Sequence, residues 1–215
     1  MKRVPFDVRK AFEPVVAMTA QPYVLIVSSA LPVKSVKDLV AHSMNQALSY
    51  GSSGVGTAGH LGMERLATIS GAKLVHVPYK GGAASLVGVV GGEIHMLPGV
   101  VISATQAIRS GKVRALAAMG LKRVPALPDL PTVAEQGWPG VTIVNSYNLY
   151  APAGTPQSIV AAINRVVGDF MHTPAMTQRL TADGSQPGER MMPDAFKAFL
   201  AREYLEVERQ VRHLD

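Results

Sequence analysis

The chain has 215 residues and a mass of 22.8 kDa, with 47% apolar and 17% charged side chains, 20 Gly, 15 Pro and no Cys. That composition excludes a disordered or collagen-like chain, and the missing cysteine excludes a disulfide scaffold, a thiol nucleophile and a cysteine-ligated metal. The net charge of +6 is carried by residues 1–150, but no basic run exceeds two residues and aromatics are 6%, which argues against a nucleic-acid footprint and fits a lobe that attracts a small anion or a generic basic surface kept soluble by charge.

No run of 18 apolar residues occurs, so no membrane span is expected. Met1-Lys2-Arg3 imitates the basic start of an export signal, but Pro5, Asp7, Arg9 and Lys10 interrupt any apolar segment behind it, and no signal peptide is expected. A cysteine-free chain suits an oxidising compartment. Tyr23 to Val27 reads as a buried strand. Ser35, with Asp38 three residues on, is a capping box that opens a helix running to about Asn45. Ala47 to Tyr50 is a short strand, followed by a glycine-rich loop and a helix from about His60 to Ser70 that stops at Gly71. Lys73 to Val77 reads as a strand, Ala83 to Val90 as a helix, Ile94 to Leu97 as a strand, Ser103 to Arg109 as a helix and Arg114 to Met119 as a strand. This alternation predicts an α/β fold.

Residues 122–140 change character, with proline and glycine throughout, and predict a long connection with a helical piece at Thr132 to Gln136. Val141 to Tyr150 is rich in β-formers. Thr155-Pro156 and Thr173-Pro174 each read as N-cap and first helical residue, opening helices at about 156–171 and 174–182. A last helix at 193–212 carries Phe196, Phe199, Leu200, Tyr204, Val207 and Val211 on one stripe, a core or interface face.

The most informative segment is Gly51-Ser52-Ser53-Gly54-Val55-Gly56-Thr57-Ala58-Gly59-His60, between a strand and a helix. Glycines let the backbone turn tightly and approach a ligand, a helix start offers free N–H groups, and three hydroxyls add donors. A carboxylate is the natural occupant, with His60 beside it; a tight turn without a ligand is the bland alternative. Gly54, Gly56 and Gly59 also satisfy G-x-G-x-x-G, so a nucleotide-binding α/β enzyme is the competing reading. That fingerprint needs an acidic residue about 20 positions on. Leu74 to Tyr79 holds none, and the next acid is Glu93. No G-x-S-x-G elbow is present, and the six histidines (His42, His60, His76, His95, His172, His213) show no metal-ligand spacing. A second strand-to-helix turn, Val77-Pro78-Tyr79-Lys80-Gly81-Gly82-Ala83, offers a lysine charge and a tyrosine hydroxyl to a carboxylate.

Five segments in order resemble the Bug-type extracytoplasmic solute receptors of tripartite tricarboxylate transporters: Gly51 to Leu61, Pro78-Tyr79-Lys80-Gly81, Ser110 to Ala117, Leu127 to Glu135 and Tyr150 to Pro156. The resemblance runs from about Val4 to the C-terminus. It implies a type II periplasmic-binding-protein fold, the Venus flytrap, with one intact lobe at 16–146 and a partial lobe formed by 1–15 and the mostly helical 147–215. It implies non-catalytic binding of a small carboxylate, transporter membrane components as partners, a periplasmic location, and neither cofactor nor metal. Ser53, Gly54, Gly56, Thr57, Ala58 and His60 are the ligand-binding residues it assigns, joined by Tyr79, Lys80 and, near the crossover, Tyr147. Two departures from the family pattern stand out. Members carry a signal peptide and further leading βα units, so the chain is expected to be a truncated form with weak binding, or none, that oligomerises through its incomplete lobe. Pro98-Gly99 replaces a Phe-Asp pair, so an acidic partner for an amino group is missing and a plain carboxylate is favoured over an amino acid.

Overall fold

The computed structural model describes residues 5–182 and 184–211, which divide into two compact units. One is Gln21–Asn145; the other joins the chain up to Ala20 with the chain from Ser146 onward. Strand β1 (Phe12–Ser28) has 17 residues and runs from one unit into the other.

In the Gln21–Asn145 unit, helix α2 (Val36–Asn45) follows β1, then β2 (Leu48–Ser52), α3 (Ala58–Ser70), β3 (Leu74–Pro78), α4 (Gly82–Gly91), β4 (Met96–Val100), α5 (Val101–Arg109) and β5 (Val113–Ala118). The sheet order is β3-β2-β4-β1-β5, with β2 parallel to both β3 and β4, and β1 antiparallel to β4 and β5. The Tyr23-to-Val27 run is continuous in apolar residues because the strand is covered on both faces. Successive side chains point to opposite faces: Leu25 and Val27 enter a cluster with Leu39, Tyr50, Met63 and Leu66, while Val24 and Ile26 enter another with Val89, Leu97, Val101 and Val113.

The local signals act as their chemistry dictates. Ser35 Oγ accepts from Asp38 N–H at 3.0 Å and Asp38 reaches back to Lys34 N–H at 3.0 Å. Gly71, at φ +73°, closes α3 with its N–H on Ala67 O. Two expectations need correction. Thr132 to Gln136 is a turn rather than a helix. Its capping contacts are complete, Glu135 N–H to Thr132 Oγ1 at 3.0 Å and Thr132 N–H to the Glu135 carboxylate at 2.6 Å. Gly137 at φ +115° and Pro139 then stop propagation before a second turn forms. Gln136 instead ties the segment down, accepting from Val36 N–H and donating to Leu116 O.

The other unit contains α1 (Val8–Ala11), the first half of β1, β6 (Val144–Pro152), α6 (Gln157–Met171), α7 (Pro174–Ala182), β7 (Gln186–Pro187) and α8 (Pro193–Val211). Strands β6 and β7 both pair with β1. Its core is small: Val15, Val16, Ala151 and Val160, with Met18, Leu149, Ile163 and Val167 against it. The second correction concerns Thr155, which does not cap α6. Pro156 occupies the cap position with extended ψ, and the Thr155 hydroxyl donates back to Pro152 O. Buried Asn164 donates to Val15 O at 2.7 Å and to Met191 O at 3.0 Å, tying α6 to β1 and to the segment before α8. Of the α8 stripe, Phe196 is buried, Phe199 and Leu200 are half-buried, and Tyr204 and Val207 are exposed. Val211's side chain and His213 lie outside the described residues.

A methyl group added at Gly62 would coincide with the Ile143 side chain, so α3 packs there only without a Cβ. Gly62→Ala is expected to destabilise this unit by about 1–3 kcal/mol through overpacking. Urea unfolding followed by the fluorescence of Trp138, the sole tryptophan, measures it.

Candidate functional site

Parallel strands β2 and β3 end side by side, Ser52 opposite Pro78, and each feeds a glycine-bearing loop into a helix. Tyr79 N–H donates to Ser52 O at 3.1 Å and holds the two loops together. In a parallel arrangement this places the N-termini of α3 and α4 at the same end of the sheet.

The four glycines of the first loop divide their work. Gly54 (φ +133°) and Gly56 (φ +78°) take backbone conformations that other residues rarely adopt. Gly51 and Gly59 have ordinary φ but no room: a Cβ would collide with Ser85 and Ile94 at Gly51, and would lie 3.1 Å from Pro98 Cγ at Gly59. Turn and packing therefore account for every glycine. The pointer to an anion comes from the helix starts instead. Thr57 holds the N-cap position of α3, yet its hydroxyl donates to Gly54 O at 2.8 Å and caps no helical N–H. Gly81 at the start of α4 has no side chain with which to cap. The first-turn amides of both helices thus lack a side-chain acceptor, and the partial positive ends of two helices lie at the same end of the sheet. Lys80, in the loop before Gly81, is exposed.

Ser53 and Ala58 are exposed, and Gly54, Gly56 and Thr57 half-buried. Tyr79 is half-buried, with its hydroxyl on the Glu93 carboxylate at 3.2 Å; burial, then that bond, push it above the ordinary tyrosine range. Glu93 is thus committed to Tyr79. His60 is 8% exposed and lies beneath the loop, its Nδ1 accepting Gly56 N–H at 3.2 Å. Tyr147 is exposed on β6 and belongs to the other unit. Among the described residues no three His, Asp or Glu side chains are grouped to hold a metal, and no helix is long and apolar enough to cross a membrane.

Residues that the sequence reading did not single out support the loop from below. Ser52 Oγ meets His76 Nε2 at 2.7 Å, accepts Gly54 N–H at 3.1 Å and lies 3.0 Å from Gly54 O. The Tyr50 ring stacks on His76 at 5.0 Å, and its hydroxyl donates to Glu64. Burial first, then Glu64, push the Tyr50 phenol far above its ordinary value. Glu64 was within reach of sequence reasoning, four residues after His60 and so on the same helix face. The Tyr50–His76 pairing depends on strand register, which no local pattern reveals. A cavity of about 640 Å³ lies along β5, lined by Arg114 and Leu127 to Leu130 among others, and includes no residue of the glycine loop.

Residues 1–209 match the family described as tripartite tricarboxylate transporter family receptor. Three solved structures are similar. R. palustris Rpa4515, solved with adipate, has 32% identity and a TM-score of 0.89, covering 98% of this chain and 71% of its own. The periplasmic binding protein BugD has 30% identity and a TM-score of 0.76, covering 94% and 66%. MatC from Rhodopseudomonas palustris, solved with bound malate, has 26% identity and a TM-score of 0.83, covering 98% and 73%. The α/β periplasmic-binding-protein fold expected from the sequence is the fold of these neighbours. The chain spans 58–63% of the length of the curated relatives first in similarity.

His76 and His95 are both held below the ordinary imidazole value of 6.5, in each case chiefly by burial and then by a neighbouring histidine. The folded unit therefore binds fewer protons than the unfolded chain near pH 6, and its stability is lost as pH falls through 6.5 and below. The Trp138-monitored urea midpoint is expected to be lower at pH 5.5 than at pH 7.5.

Proposed function

We propose, from the premise that the chain belongs to the tripartite tricarboxylate transporter receptor family, that it is a non-catalytic receptor for a small di- or tricarboxylate, acting outside the cytoplasm with that transporter's membrane components. The observation that carries the site is the pair of uncapped helix starts, α3 after β2 and α4 after β3, joined through Tyr79 N–H and Ser52 O. One ligand carboxylate accepts from the first-turn amides of α3, Ala58 to His60, and from the exposed Ser53 hydroxyl, and Lys80 supplies the charge. The Thr57 hydroxyl, engaged with Gly54 O, keeps those amides in place. Adipate and malate, found in two of the similar structures, belong to this chemical class, and BugD's description as periplasmic supports the location.

Pro98 adjoins α3 at Gly59, and neither it nor Gly99 carries an acidic group that could pair with a ligand amino group. A hydroxy-dicarboxylate is therefore preferred over the amino acid of the same carbon skeleton. A nucleotide-binding enzyme is disfavoured, since no acidic residue follows β3 within reach of a ribose and Glu93 is held by Tyr79.

Association of the chain with itself is part of the same reading. Helix α6 exposes Ile159, Val166 and Phe170 at 48%, 64% and 56%, spaced as one stripe along its outer side. Light scattering is expected to give a mass above 22.8 kDa, and a clean monomer at high concentration overturns the association.

Calorimetry at pH 8 is expected to show heat with adipate or malate, none with NAD, and much weaker binding of aspartate than of malate. A nucleotide signal without a carboxylate signal overturns the receptor reading. Thr57→Val should weaken carboxylate binding by about 1–3 kcal/mol, because Gly54 O loses one of its two hydroxyl donors and the loop its tie to the start of α3.

A further inference from the structure

Three aromatic rings from three different elements form a stack under the glycine loop: Tyr50 of β2, His76 of β3 and His60 of α3. The Tyr50 and His76 centroids are 5.0 Å apart, those of His76 and His60 4.0 Å. Each imidazole holds a different part of the loop. His60 Nδ1 accepts the N–H of Gly56, the residue at φ +78°. His76 Nε2 bonds Ser52 Oγ, which in turn accepts the N–H of Gly54, the residue at φ +133°. The two positive-φ positions of the loop are thus both held by histidine, one directly and one through a serine that is 2% exposed.

We propose that His60 and His76 are positioning residues which hold the loop in its carboxylate-binding shape, and that this shape requires His60 to be neutral with its lone pair on Nδ1. The inference rests on the receptor reading for its consequence in binding, but the geometry it concerns exists without ligand. The bond from Gly56 fixes the requirement: a proton on Nδ1 would face a backbone N–H, donor against donor, and Gly56 would lose its partner. The neighbours oppose that proton unequally. Tyr50 from β2 is a neutral phenol, His76 from β3 would be a second cation at stacking distance, and Glu64 of α3 is the anion facing the pair, already engaged by the Tyr50 hydroxyl. Burial and the presence of His60 hold His76 below its ordinary value while Glu64 acts the other way.

The sign of the pH effect on binding separates this role from direct ligand contact. A histidine that touches the ligand carboxylate attracts it more strongly once protonated, so binding would tighten on acidification. A histidine that holds the loop from beneath lets go when protonated, so binding weakens. The pH range from 8 to 6 keeps malate and adipate mostly as dianions.

The experiment uses the full chain labelled with ¹⁵N. In the wild-type protein without ligand, the Gly56 amide is expected downfield at pH 8, to move on acidification to pH 5.5, and to do so together with the His60 ring nitrogens, with Nδ1 unprotonated at pH 8. His60→Asn places Oδ1 where Nδ1 stands and does not titrate, so its Gly56 amide should stay in place over the same range. In calorimetry, wild-type affinity for malate or adipate should fall from pH 8 to pH 6, by about fourfold at most, since binding draws only on the neutral fraction of an imidazole, and His60→Asn should flatten that profile. A His60 ring with its proton on Nδ1 at pH 8, a Gly56 amide that ignores pH in the wild type, or binding that tightens on acidification overturns the proposal. The tautomer and Gly56 titration are read on the wild type, so they decide even if the variant does not fold. Failure of both carboxylates to bind at pH 8 counts against the receptor reading alone.

Discussion

Strand β1 is the element on which both units are built. Its second half is buried on both faces, sending Leu25 and Val27 to one hydrophobic cluster and Val24 and Ile26 to the other. Removing one such side chain opens a void in a packed interior, where each methylene matters. Its first half carries Val15 and Val16 into the core of the other unit and pairs with β6 and β7. A 17-residue strand is long for a globular domain, and its length follows from serving two cores in succession.

The glycine loop withholds a common device. A threonine at an N-cap ordinarily accepts from the first helical turn. Here Thr57 turns its hydroxyl to Gly54 O, and α4 begins at a glycine with no side chain at all. Two helix starts are left without a side-chain cap, an arrangement whose cost a bound anion would offset. The loop tolerates it because its own shape is secured from below, by Ser52, His60 and His76, rather than from the side the ligand would occupy.

Glycine-rich motifs invite over-reading, and this one illustrates why. The G-x-G-x-x-G pattern at Gly54, Gly56 and Gly59 matches a nucleotide fingerprint letter for letter. Two of its glycines serve φ and the third a close approach to Pro98, requirements that any tight β-to-α connection can impose. What distinguishes the loop is the state of its hydrogen bonds, and those depend on rotamers and neighbours that a pattern does not encode.

The sequence by itself determined the α/β class, the placement of nearly every helix and strand in the Gln21–Asn145 unit, the family and the loop. These follow from local rules: apolar periodicity, the Ser35–Asp38 box and Gly71 in the left-handed region all act within a few residues of where they are read. It misplaced the Thr132 segment, where a complete capping box met Gly137 and Pro139, and the start of α6, where Thr155 had a closer acceptor in Pro152 O. Only the tertiary structure decided that His60 lies beneath the loop, that Glu93 belongs to Tyr79, and that Tyr50, His76 and Glu64 take part. Tyr50 and His76 are 26 residues apart and meet because β2 and β3 pair in parallel at that register. Register is set by the packing of both sheet faces at once, and that is a property of the whole fold rather than of any segment.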